Sequence, residues 1–380
     1  MRTAVQRRGA LALCVVLLFC LLAGCTGHSG EKNWSELTPQ STTELKYAKQ
    51  FKIEDCGDGL SRITIAQDRQ YLLVQEGAQI PNGVPEEVTV LQQPIQNIYL
   101  TATASMDLFR ALDGLDVIRL SGTKESGWYL PEAQQAMEAG DILYAGKYHA
   151  PDYELILAQQ CGLAVESTMI YHNPEVKEQL ESLGIPVLVD YSSYESDPLG
   201  RMEWIKLYGA LLGKEEEAAR IFDEEVAAVQ PVLNQTNTGK TVAFFYITNT
   251  GTVNVRKSGD YIAQLIRMAG GVYVPDNQNG DEENALSTMN IDMESFYAAA
   301  HDADVLIYNS TIDGELASLD ELLKKSELLA DFKAVQNGNV WCTGKNMFQS
   351  SMSLGRMILE INAVLTQQAP DGLTYLYRLS

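Results

Sequence analysis

Short apolar runs alternate with helix-period segments along most of this chain, and that alternation predicts the fold. Strand-like runs fall at 98–101, 117–120, 162–166 and 185–190, and again at 241–248, 305–309 and 340–343. Segments with apolar residues at three- and four-residue spacing follow them, at 105–113, 131–139, 152–160, 174–183 and 199–212, then near 259–269, 292–300, 318–330 and 353–366. Strand–helix alternation of this kind builds parallel sheets flanked by helices. It occurs twice, on either side of one long, charged, Ala-rich segment at 214–229 (KEEEAARIFDEEVAAV), which Pro231 and the polar run NQTNTG close. The predicted fold class is α/β: two lobes, each a mainly parallel sheet flanked by helices, joined by one long helix. A single large sheet is the alternative, disfavoured by the length and one-sided polarity of the separating segment.

The first residues follow a different pattern. Arg2, Arg7 and Arg8 precede an apolar run at 11–22, and Leu-Ala-Gly-Cys closes it at 22–25. This is the layout of an export signal, and the run is short for a hydrocarbon core ~30 Å thick. The small residues before Cys25 resemble the lipobox of bacterial lipoproteins, which implies an acylated Cys25 as mature N-terminus. Two or more acyl chains, at ~0.8 kcal/mol per buried CH₂, anchor stably. An ordinary cleaved signal that carries a Cys is the alternative. Residues 25–50, polar apart from Trp34 and a few others, read as a flexible stalk. Alternation at 61–66 (SRITIA) and 70–74 (QYLLV) predicts a small hairpin within 51–90. The domain plan is therefore signal 1–24, lipidated stalk 25–50, N-terminal lobe 51–212, interlobe helix 213–235 and C-terminal lobe 236–380.

Charge narrows the partners. The chain carries 28 basic and 50 acidic residues, net −22, and loss of the three leader arginines makes the balance −25. Such a surface repels nucleic acid and anionic headgroups. Of six cysteines, Cys14 and Cys20 leave with the signal and Cys25 is the anchor. Cys56, Cys161 and Cys342 remain, odd in number and without a CxxC, which argues for free thiols over a disulfide framework or zinc knot, with a pairing of Cys56 left open.

In open parallel sheets a ligand sits beyond the carboxyl ends of the strands, so the loops after each run hold the candidates. The first gives Thr101, Thr103 and Ser105; the second Lys124, Trp128 and Tyr129; Tyr148 and His149 precede a helix start. The next two give Tyr171 and His172, then Tyr191 to Tyr194. In the second half come Asn254, Arg256 and Tyr261, then Asn309 to Thr311, then 345–351. Tyr outnumbers Phe 18 to 9, and the excess gathers at these loops. Aromatics with a polar tip line large ligand sites, although one Tyr at a strand end is commonly a packing residue and a lone His a structural one. The proposed contacts are Thr103, Ser105, Trp128, Tyr129, Tyr148, His149, Tyr171, His172, Tyr194, Asn254, Arg256 and Asn309.

Residues 146–214 resemble the substrate-binding lipoproteins of iron-complex and cobalamin ABC importers, the class with a rigid interlobe helix. A strand at 162–167 precedes a helix, and LESLGIPV at 180–187 leads to the next strand. Met268-Ala-Gly-Gly, Asp304-Val-Leu-Ile and the run FKAVQNGNVW from Phe332 continue the likeness, which spans roughly 90–380. The resemblance implies a monomer that holds a ferric siderophore, haem or corrinoid in a shallow cleft, with no cofactor of its own. It also implies docking on a permease dimer, with its ATPase, through one acidic residue per lobe: Glu175, and Glu315 in competition with Glu321. Lys124, Arg201, Arg256 and Lys345 are the cations available to an anionic chelate. The sequence predicts no enzyme. There is no G-x-S-x-G or H-E-x-x-H, and Gly239-Lys240-Thr241 is followed by a strand where a P-loop needs a helix. A redox or catalytic relative of nitrogenase-like fold would need clustered Cys ligands, and an adhesin would not need these crowded loops.

Overall fold

The computed structural model describes residues 32–276, 288–370 and 372–380. The leader, Cys25 and the lower stalk lie outside the described residues. Residues 32–38 with 79–86 form a small unit of their own. There Asn33 opens a tight turn at Trp34–Glu36, and the Trp34 N–H donates to the Asn82 carbonyl at 2.8 Å.

The large unit (39–78 with 87–380) begins with an added sheet. Its strands β1 (Ser41–Thr42), β2 (Phe51–Asp55), β3 (Leu60–Ile65), β4 (Arg69–Val74) and β5 (Thr89–Gln92) lie in that order, antiparallel except for β4 with β5. The predicted hairpin is thus β3–β4 inside a five-stranded sheet; β1 is two exposed polar residues and carries no periodic signal. The upper stalk is not loose either. Five successive amides are held by two buried carboxylates: those of Lys46, Tyr47 and Ala48 donate to Glu203, and those of Lys49 and Gln50 to Glu195, at 2.7–3.0 Å. Trp204 and Lys206 supply further donors. A buried carboxylate must be hydrogen-bonded, and that demand orders a segment whose composition reads as flexible.

The N-terminal lobe is an all-parallel sheet of β6 (Ile98–Leu100), β7 (Ile118–Ser121), β8 (Leu143–Tyr144), β11 (Ala164–Ser167) and β12 (Val187–Asp190), in the order β12-β11-β6-β7-β8. Helices α1 (Met106–Ala111), α2 (Pro131–Glu138), α3 (Tyr153–Ala158) and α4 (Pro174–Ser182) cross between strands, and α5 (Pro198–Glu203) and α6 (Ile205–Leu212) follow. A two-strand ribbon, β9 (Gly146–Lys147) with β10 (Ala150–Pro151), follows β8. Both sheet faces are buried, one with Ile98, Leu100 and Val165, the other with Tyr99, Leu120 and Val189. Such strands read as continuous apolar runs, which is why the sequence betrays them.

Helix α7 (Glu215–Leu233) joins the lobes. It runs through Pro231, past the predicted stop, but only Val232 and Leu233 follow the proline before the helix ends. Helix α6 packs on its first half and α13 (Leu354–Leu365) on its second. Gly209 and Gly355 permit the approach: a Cβ there would stand 2.5 Å from the Ala218 side chain and 3.0 Å from Val229. The C-terminal lobe is a seven-stranded mixed sheet of β13 (Thr241–Ile247), β14 (Val253–Arg256), β15 (Val272–Val274), β16 (Thr288–Ile291), β17 (Val305–Tyr308), β18 (Val340–Thr343) and β19 (Leu376–Arg378). β13, β15, β17 and β18 are parallel; β14, β16 and β19 join antiparallel. Helices α8 (Tyr261–Met268), α9 (Met293–Ala300), α10 (Ser310–Asp313), α11 (Leu319–Lys325) and α12 (Lys333–Gln336) complete it with α13. The α/β class and two lobes stand; in the C-terminal sheet the additions are the three antiparallel strands and the short parallel β15, too short or weakly patterned to be read.

Candidate ligand-binding site

The carboxyl ends of the parallel strands in both lobes carry an aromatic and cationic rim. Among the described residues, ten large apolar side chains are exposed, and six sit at or just past these strand ends: Tyr129, Tyr144, Met169, Tyr171, Tyr194 and Ile312. Two lysines stand on rings at these ends, and two arginines, in α5 and at the end of the antiparallel β14, stand on rings elsewhere. The Lys124 ammonium lies 5.5 Å from the Tyr144 ring centre, and Lys345 lies 5.8 Å from that of Tyr129 across the two lobes. Arg201 stacks on Tyr261 at 3.5 Å, and Arg256 lies over Phe348 at 5.2 Å. Arg201 also donates to the carbonyls of Ser193 (2.6 Å) and Glu195 (2.9 Å), and burial pulls its guanidinium pKa down. Arg256 is paired with Asp260 at 3.6 Å. Cations over aromatic faces gain strength as they are desolvated.

The candidates divide when placed. Tyr129, Tyr171, His172 and Tyr194 are exposed on the N-terminal rim, and Tyr148 and His149 form the tip of the β9–β10 ribbon with rings 5.0 Å apart. Tyr191 links Tyr171 (6.3 Å) and Tyr194 (5.2 Å) into one aromatic cluster. Thr103 is half-buried.

Four others turn inward. Trp128 is fully buried, its ring N–H on the Ser121 hydroxyl at 3.2 Å, so it is core and not cleft wall. Ser105 is buried and donates to the Ala102 carbonyl at 2.7 Å. Asn254 is buried against Asn290 at 2.7 Å, and Asn309 caps α10 by accepting from Thr311. Glu175 and Glu315 are both exposed; Glu315 accepts from the Lys345 amide at 3.1 Å, and Glu321 from the Ala317 amide at 2.8 Å. Cys56, Cys161 and Cys342 are free thiols. Among the described residues no group of three His, Cys, Asp or Glu is placed to hold a metal ion.

Two features carry no simple sequence signal. The loop after β18 is stitched to the N-terminal lobe. Gln349 donates to the Gly127 carbonyl (2.8 Å) and accepts from the Tyr129 amide (2.7 Å); Ser351 donates to the Ala104 carbonyl (2.7 Å), and the Met352 amide to Asp107 (2.8 Å). The second is Glu166 at the end of β11. It is fully buried, takes a hydrogen bond from Thr101, and leaves its other oxygen without a partner. Burial pushes its carboxyl up to about 7.

The model of the family described as periplasmic binding protein matches residues 100–347. The chain belongs to that family. An uncharacterized lipoprotein of Methanocaldococcus jannaschii is 26% identical, over 96% of this chain and 94% of its own. The periplasmic haem-binding protein HutB of Vibrio cholerae shares the fold at a TM-score of 0.59 and 18% identity, over 72% of this chain and 99% of that one. The periplasmic catecholate-siderophore binding protein VctP of Vibrio cholerae does so at 0.55 and 14%, over 73% and 95%. The family agrees with the likeness read at 146–214. Among the described residues of this periplasmic binding protein, no helix is long and apolar enough to cross a membrane.

Proposed function

We propose that this protein is a lipid-anchored, extracytoplasmic receptor that captures an anionic metal chelate, a ferric siderophore foremost, and delivers it to an ABC permease. The observation that carries this reading is the rim. In a chain of net charge −22, Lys124 and Lys345, one from each lobe, stand on aromatic rings at the carboxyl ends of the parallel strands. Flat area and positive charge together suit a broad chelate whose ligand atoms bear negative charge. Haem fits the same description through its carboxylates, with His149 or His172 as an iron ligand; a corrinoid would use the aromatic faces with less need of the cations. The seam at Gln349, Ser351 and Asp107, with α7 behind it, favours binding with little lobe closure. Exposed Glu175 and Glu315 are the docking residues proposed for the permease, and a lipid on Cys25 would hold the receptor near it. The protein is proposed to act as a monomer without catalysis.

Titration of intrinsic fluorescence with ferric siderophores, haem and cobalamins tests the reading, with buried Trp128 as a reporter beside the rim. Lys345→Ala and Tyr171→Ala are each expected to weaken the best ligand about tenfold, or 1.4 kcal/mol. Quenching by none of the chelates would discard the proposal.

A further inference from the structure

The added sheet lies outside the matched family region, yet its β3–β4 hairpin reaches the rim. A three-residue loop (66–68), with Ala66 and Gln67 in the left-handed region, joins the strands and leaves Arg69 paired with Ile65 at the tip. The guanidinium of Arg69 stands 4.7 Å from the Tyr171 ring centre and 5.1 Å from that of Tyr191. Two residues on, the buried Tyr71 hydroxyl accepts from the Val189 amide at 3.3 Å and pins the hairpin to β12. Asp68 lies 3.2 Å from Arg69, but its side chain is 79% exposed and solvent screens it. Resting on the proposed chelate site, we infer that Arg69 is a specificity-determining cation, supplied by the added sheet, which selects an anionic chelate over a neutral one. It extends the positive rim to the loops after β11 and β12, which supply Tyr171, Tyr191 and Tyr194 and where Arg201 is already engaged by the Ser193 and Glu195 carbonyls.

The test titrates detergent-solubilised full-length protein with an anionic ferric tris-catecholate, haem and a charge-neutral ferric tris-hydroxamate. Arg69→Gln is expected to lose about tenfold in affinity for the anion bound tightest, and Arg69→Lys about threefold, with under about twofold change for the neutral complex. Melting temperatures fall by no more than a few degrees, since the side chain is on a hairpin tip and gives up only its two ring contacts and the screened pairing with Asp68. Equal loss for neutral and anionic ligands, or none for either, overturns the inference and leaves the site reading standing. So does a wild-type protein that prefers the neutral complex. Quenching by none of the three overturns the site reading and this inference with it.

Discussion

The strand-end floors of the two lobes look alike in sequence and differ in chemistry. In the C-terminal lobe the polar residues close on one another: Asn309 caps α10, and the Thr343 hydroxyl takes the Ser310 amide at 3.0 Å and lies 3.1 Å from its hydroxyl. In the N-terminal lobe Trp128 fills the floor, Glu166 keeps one oxygen unpaired, and the tyrosines stay exposed above them. A polar residue after a strand can therefore be a cap as readily as a ligand contact. What separates the two is whether a neighbouring backbone group is left needing a partner.

Three substitutions probe this contrast. Trp128→Ala is expected to cost 3–5 kcal/mol by emptying a large core site, roughly what burying such a ring is worth. Denaturant unfolding reads it, and a variant as stable as wild type would return Trp128 to the cleft wall. Glu166→Gln should be silent near pH 4 and stabilising near pH 8. The Glu166 carboxyl lies near 7 when folded, against 4.5 for the free group, so the folded state binds the proton more tightly. The stability this provides is fully present below pH 4.5 and is lost as pH rises through 7, by roughly 3 kcal/mol. The amide escapes that loss. A difference between variant and wild type that does not change with pH would show that Glu166 ionises freely. The smallest effect belongs to Asn309→Ala, about 1 kcal/mol for a lost N-cap with chelate affinity unchanged. A large fall in affinity without loss of stability would move the C-terminal floor into the site.

Much of the architecture was legible. The parallel strands are buried on both faces, so β17 appears as an unbroken apolar run and β12 and β18 as apolar runs ending in one polar residue, and α7 shows its Ala-rich charged period directly. The added sheet was read only where β3 and β4 alternate; β1 and β5 are too short to show a period, whereas β2 does alternate, with Phe51 and Ile53 buried and Lys52 exposed, and was readable. The candidate site was legible as a set of loops. Tyr129, Tyr171 and Tyr194 could be picked as exposed aromatics near strand ends, but Met169, Ile312 and Arg69 sit in stretches with no distinguishing pattern.

Local sequence alone determined the order of the main parallel strands and their helices and the division at α7, since hydrophobic period is a property of neighbouring residues. Tertiary structure decided which polar groups are spent and which are free. Glu195 and Glu203 hold amides some 150 residues earlier in the chain, Gln349 reaches Gly127, and Arg69 meets Tyr171. No local pattern encodes such pairings, because each is set by the need of a buried or half-buried group for a partner that only folding brings within reach.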